Sequence, residues 1–135
     1  MYQVLGILNV ALFVGVSSPY WLRQINRWFF HGKNQGIIQA VKKLRKVHKP
    51  LGISLVILSL IHGYLALWAL RLHTGSLAWM MCIITVLFGV LFYKRKKAVY
   101  LLWHKRAALL TIILTVLHLL FPSALYYIMR WFQKL

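Results

Sequence analysis

Histidine is the residue type in this chain with chemistry to offer, and its spacing says what chemistry. There are six: His31, His48, His62, His73, His104 and His118. His48 and His62 lie 14 residues apart, and so do His104 and His118. At about 100° per residue that interval ends about 40° short of four turns, so on a helix each pair shares one face. The two imidazoles of a pair then stand about 21 Å apart along the axis, too far to share one metal ion. Each must find its partner on another helix.

The rest of the composition narrows the chemistry further. The sequence has 17 Lys and Arg and no Asp or Glu. Without carboxylate side chains there is no acidic general acid–base pair, no carboxylate-held Mg or Ca site, and no His/Asp triad. A carboxylate proton relay is excluded for the same reason. Cys82 is the only cysteine, sits in an apolar run and has no disulfide partner in the chain. Chemistry falls to His, to basic residues, or to a bound cofactor.

The elements that must carry the histidines are apolar enough to be membrane spans. Of the 135 residues 61% are apolar and the mean hydropathy is +0.72, against roughly half apolar in a soluble domain. The hydrophobic runs predict four transmembrane helices at about 4–22, 47–70, 77–93 and 98–121. A short basic amphipathic helix is expected at the membrane surface before the second span, running straight into it. There Ile37, Val41, Leu44 and His48 recur every three or four residues among Lys42, Lys43, Arg45 and Lys46. The tail 123–135 is expected at an interface, with Tyr126, Tyr127, Trp131 and Phe132 as anchors. No cleavable leader is read in the first run, which lacks a basic start and a small-residue cleavage site. The fold class is thus an all-α membrane protein, a four-transmembrane-helix bundle forming one domain over 1–135.

Charge placement gives the orientation. The 23–49 connection carries eight Lys and Arg and the 94–106 region six, against one in 71–76 and two in the tail. By the positive-inside rule the two rich regions face the cytoplasm, which puts both termini outside, in the cell membrane. The same placement favours anionic lipid over nucleic acid as the partner of a chain with net charge +17.

The second and fourth spans then run parallel. His48 and His104 fall at the cytoplasmic end, and His62 and His118 nearer the outer side. Facing each other, the two spans offer two stacked His–His pairs, His48/His104 and His62/His118, each suited to hold one haem iron from both faces. Zinc fits less well, because two imidazoles leave a tetrahedral ion half coordinated. A lone His in an apolar helix is more often a packing or interfacial residue. His48 and His104, beside Lys49 and Lys105, read equally that way when taken singly. His62 and His118 do not, since a polar group deep in a span is costly. Arg45, Lys49, Lys105 and Arg106 flank the inner pair and Arg71 the outer, as candidate contacts for haem propionates or as ordinary flanking charge. Gly52 and Gly63, near His48 and His62, would let a flat macrocycle approach or equally serve ordinary contacts between membrane helices. His31 and His73 have no equally spaced partner and receive no ligand role.

The segments HKPLGISLVILSLIHG and WHKRAALLTIILTVLH, with their four histidines, resemble the haem helices of the ferric-reductase-like transmembrane domain. That family includes NADPH oxidases and metalloreductases. The resemblance implies two haem b groups ligated by His48, His62, His104 and His118. It covers roughly 1–125, whereas the family has six spans. No G-x-G-x-x-G segment or flavin domain is present in this chain.

The expected function is transmembrane electron transfer. Electrons enter at the cytoplasmic-side haem, pass to the outer one, and leave to an outer acceptor. The donor must be separate, a flavoprotein or a quinol, and an acidic partner subunit would offset the chain's charge. Two other functions fit the same residues: a quinone-reactive cytochrome b anchoring a larger oxidoreductase, and a non-redox membrane scaffold.

Overall fold

The computed structural model describes residues 2–67 and 73–132. The described residues form five helices: α1 (Tyr2–Phe30), α2 (Gln35–Leu67), α3 (Thr74–Arg95), α4 (Ala98–Leu120) and α5 (Ala124–Phe132). The first four are long and apolar enough to cross a membrane. Their surfaces agree with a lipid surround. Val41, Leu55 and Ala107 are the buried apolar side chains among the described residues, while Ile7, Ile53, Ile113 and Leu119 stand exposed. The chain divides into two compact units, 1–59 and 60–135.

In the first unit α1 runs past the end expected from its apolar run and continues to Phe30. It does so through Pro19, which has no N–H for the carbonyl of Gly15. The Ser18 hydroxyl donates to that carbonyl at 2.7 Å, replacing the lost bond. A tight turn then reverses the chain. His31 and Gly32 take left-handed backbone conformations, with φ of 50° and 78°, and the Gly32 N–H reaches back to the Asn26 carbonyl at 2.8 Å. The buried Asn26 side chain accepts from Asn34 N–H at 3.1 Å, and Asn34 in turn accepts from Ile37 N–H at 3.1 Å, capping α2.

The basic segment is the first part of α2, which runs unbroken from Gln35 to Leu67 with Pro50 inside it. The pattern at 37–48 and the apolar run after it share the same helical period, so nothing local forces a break. Proline removes one ladder bond but need not end a helix whose other bonds are intact.

In the second unit α3 and α4 form an antiparallel hairpin closed by Lys96 and Lys97. Lys96 takes the left-handed cap conformation at φ 54° and its N–H bonds the Phe92 carbonyl. The seam between the helices is polar at its centre. Thr85 and Thr111 hydroxyls lie 3.0 Å apart, and each also lies 2.8 Å from the carbonyl four residues before it. Ala107 and Thr111 are buried here, as small residues at a membrane helix contact usually are. Phe88 stacks on Trp103 at 6.0 Å. Past Pro122 the tail forms α5, a short helix with Tyr126, Tyr127 and Trp131 exposed.

His73 starts α3. Its Nδ1 accepts from Gly75 N–H at 2.8 Å and Ser76 N–H at 3.3 Å, and the Ser76 hydroxyl lies 2.9 Å from the His73 N–H. Only an unprotonated Nδ1 can accept. Burial lowers the His73 pKa below the ordinary imidazole value, and the charge of His62 lowers it further. The neutral cap therefore holds above about pH 6.5 and weakens as pH falls through the lower folded-state value. His73→Ala is expected to cost about 1 kcal/mol locally, seen as about fivefold faster hydrogen exchange at Gly75 and Ser76. His73→Asn is expected to keep the cap and to abolish its weakening in acid.

Candidate functional site

Each of the four equally spaced histidines sits on α2 or α4, and the structure shows what holds three of the rings. His48 Nδ1 lies 3.1 Å from the Val16 carbonyl of α1, within the first unit. Val16 is three residues before Pro19, in the stretch of α1 whose ladder the proline opens. His104 Nδ1 lies 2.8 Å from the Thr85 carbonyl of α3, within the second unit. A carbonyl can only accept, so in both rings Nδ1 carries the hydrogen. In the neutral imidazole the lone pair is then on Nε2.

His118 reaches the same state by a different route. Its Nδ1 lies 2.9 Å from the Thr74 hydroxyl oxygen, and that hydroxyl donates its proton to the Pro122 carbonyl at 2.9 Å. With its one proton committed, Thr74 accepts from His118 Nδ1–H. Thr74 is almost fully buried, which protects the bond from competing water. Thr74→Val keeps the shape and removes the acceptor. If His118 is a haem ligand, haem affinity at its site is expected to fall about 10- to 100-fold, measured by haem titration.

The rings fit because α3 has glycine opposite them. A Cβ added at Gly89 would lie 3.2 Å from His104 Nδ1 and 3.3 Å from its Cε1. A Cβ at Gly75 would lie 2.9 Å from His118 Cε1 and 2.6 Å from His73 Cε1. The two glycines are 14 residues apart, like the two histidines they face. In an antiparallel hairpin, equal intervals on both helices keep two such contacts in register. This match was legible in the sequence and is the signal that the histidine spacing alone did not use. The glycines singled out by sequence, Gly52 and Gly63, have open space where a Cβ would stand.

The second unit also brings a third imidazole to His118. The His73 ring stacks on it at 5.7 Å between centroids and 19° between planes. His62 lies within electrostatic reach of both. His48 and His104 belong to different units, and each is fixed within its own. Among the described residues no three His or Cys side chains are placed to share one metal ion.

The flanking cations have varied surroundings. Arg106 lies over the Trp103 ring, 5.3 Å from its centroid. Arg45 lines a cleft between α1 and α2. Lys49 and Lys105 are exposed. Arg71 lies outside the described residues.

An imidazole whose Nδ1–H is tied to a backbone or hydroxyl oxygen, with its lone pair on Nε2, is the form that ligates iron or another transition metal. Haem asks two such groups of the protein and supplies the other four ligands itself. Gly75 and Gly89 leave space on α3 for the His118 and His104 rings, and the Nδ1 contacts fix which nitrogen carries the proton. No family model, curated protein or solved structure matches the chain.

Proposed function

We propose that the chain is a multi-pass membrane cytochrome b that carries electrons between the two sides of the cell membrane, with His48, His62, His104 and His118 as the axial ligands of two haem b groups. One observation carries the reading. Three of the four histidines have Nδ1 engaged by an oxygen that accepts, and each takes that oxygen from a neighbouring helix. A packing histidine needs one satisfied nitrogen of either kind. With Nδ1–H engaged, each ring keeps its lone pair on Nε2, a form in which histidine can ligate iron.

The residues then have distinct tasks. The Val16 and Thr85 carbonyls and the Thr74 hydroxyl hold the rings and raise the basicity of Nε2. Gly75 and Gly89 leave room for the rings to stand against α3. The apolar spans exclude water and keep the surroundings low in dielectric. Haem, if bound, would be held by His48, His62, His104 and His118 and would supply reversible one-electron carriage. Donor and acceptor are separate on this reading: a flavoprotein or quinol on one side, an acceptor on the other. On this reading the chain is a four-span relative of the ferric-reductase-like domain, lying with both termini outside.

The test is a pyridine haemochrome assay with EPR on the purified full chain. Two haem b per chain with low-spin bis-imidazole signals are expected. A colourless protein that cannot be loaded with haem would leave the non-redox scaffold as the reading.

A further inference from the structure

Within the unit 1–59, α1 and α2 enclose a cleft of about 250 Å³. Arg23 from α1 and Lys42 and Arg45 from α2 line it and are exposed at its rim. Val41 and Asn26 are buried beneath them, with Ile38 beside. The sequence makes this convergence. Ile38, Val41, Lys42 and Arg45 are three or four apart and share a face of α2, and Arg23 and Asn26 are one turn apart on α1.

Three positive charges around one small volume repel each other. The chain has no Asp or Glu, so no side-chain carboxylate of its own can offset them. A bound anion that offsets them would come from outside the chain's side chains. The position says which kind. Arg23 is the first charged residue after the apolar run 4–22, so the cleft opens at the level of lipid headgroups. Trp21 and Trp28, exposed on either side of Arg23 in sequence, are residues that settle at that level. The site is also amphiphilic: cations that suit phosphate stand above an apolar floor.

We propose that this cleft is a binding site for an anionic phospholipid, its phosphate held by Arg23, Lys42 and Arg45 and its glycerol and upper acyl carbons resting on Ile38 and Val41. The proposal does not rest on the haem reading. The site lies on α1 and α2 and ties the first unit to the charged leaflet.

The test uses the full chain purified from nanodiscs of phosphatidylcholine containing a minor fraction of phosphatidylglycerol, with retained lipid counted by native mass spectrometry. About one phosphatidylglycerol is expected to stay with each chain. R23Q/K42Q/R45Q is expected to weaken its retention about tenfold or more, while R23K/K42R/R45K keeps it. K94Q/R95Q/K97Q, which removes three cations elsewhere, is expected to bind as the unmodified chain does. Arg45→Gln alone, with an expected drop of about fivefold, covers the case in which the triple variant does not fold. Equal loss in both glutamine triples, or equal retention of phosphatidylcholine, would overturn the proposal in favour of diffuse attraction. Competition by inorganic phosphate at similar concentration would make it a free-anion site. Haem loss in R23Q/K42Q/R45Q with lipid unchanged would assign the cations to a propionate instead.

Discussion

His62→Ala and His104→Ala are each expected to lower the haem content from about two to about one per chain, and to remove different haems. The expectation follows from the interval of 14 residues within each helix. The two histidines of one helix are too far apart to serve one iron, so on the proposed reading each iron would take one ligand from α2 and one from α4. Loss of His104 leaves His48 as the sole protein ligand of its haem, and loss of His62 leaves His118. The single variants His48→Ala and His104→Ala should therefore give one spectrum, and His62→Ala and His118→Ala another. Redox titration or low-temperature spectra of the four variants would sort them. If His62→Ala and His104→Ala deleted the same haem, the pairing proposed above would be wrong. If all four variants kept both haems, the histidines would not be the ligands.

The second large effect is expected from the smallest side-chain change. Gly75→Ala puts a methyl group 2.6 Å from His73 Cε1 and 2.9 Å from His118 Cε1. Neither ring can yield freely. His73 is held by two backbone N–H groups, and His118 by Thr74. Something must shift, and any shift of His118 breaks the hydrogen bond that sets its tautomer. Haem affinity at the His118 site is expected to fall about 10- to 100-fold. Gly89→Ala is milder, since its methyl group would lie 3.2 Å from His104. A displacement of a few tenths of an ångström relieves that contact, so a shifted spectrum with retained haem is expected. Helix propensity works the other way, because alanine favours a helix over glycine by about 1 kcal/mol. A lost haem in Gly75→Ala therefore reports the ring contact and not a weaker helix. Full loading with an unchanged spectrum would remove Gly75 and the His118 position from the site.

Much of the architecture is legible in the chain alone, because it depends on local quantities. The length and hydropathy of a run decide whether it can span a membrane, and all four long helices appear where apolar runs stand. The end of α4 before Pro122 follows from that one residue, whereas the tail, expected only as an interfacial segment, also forms the short helix α5. The basic segment runs straight into the second span because a change in composition from charged to apolar is not a change in backbone conformation, and α2 passes through it unbroken. Pro19, near the end of the first apolar run, is a natural place for a helix to stop. It lies instead inside α1, where Ser18 repairs the ladder.

The sequence by itself determined which residues have chemistry, that they lie on helices, and that equal intervals bring them to one face, because rise and turn per residue are fixed within a helix. It did not determine what each ring is tied to. The Val16 carbonyl for His48, the Thr85 carbonyl for His104 and the Thr74 hydroxyl for His118 come from other helices. Which atom of a neighbour an imidazole meets depends on the relative height and rotation of two packed helices. No local period encodes that, so the tautomers and the cation cleft between α1 and α2 were decided only by the tertiary structure.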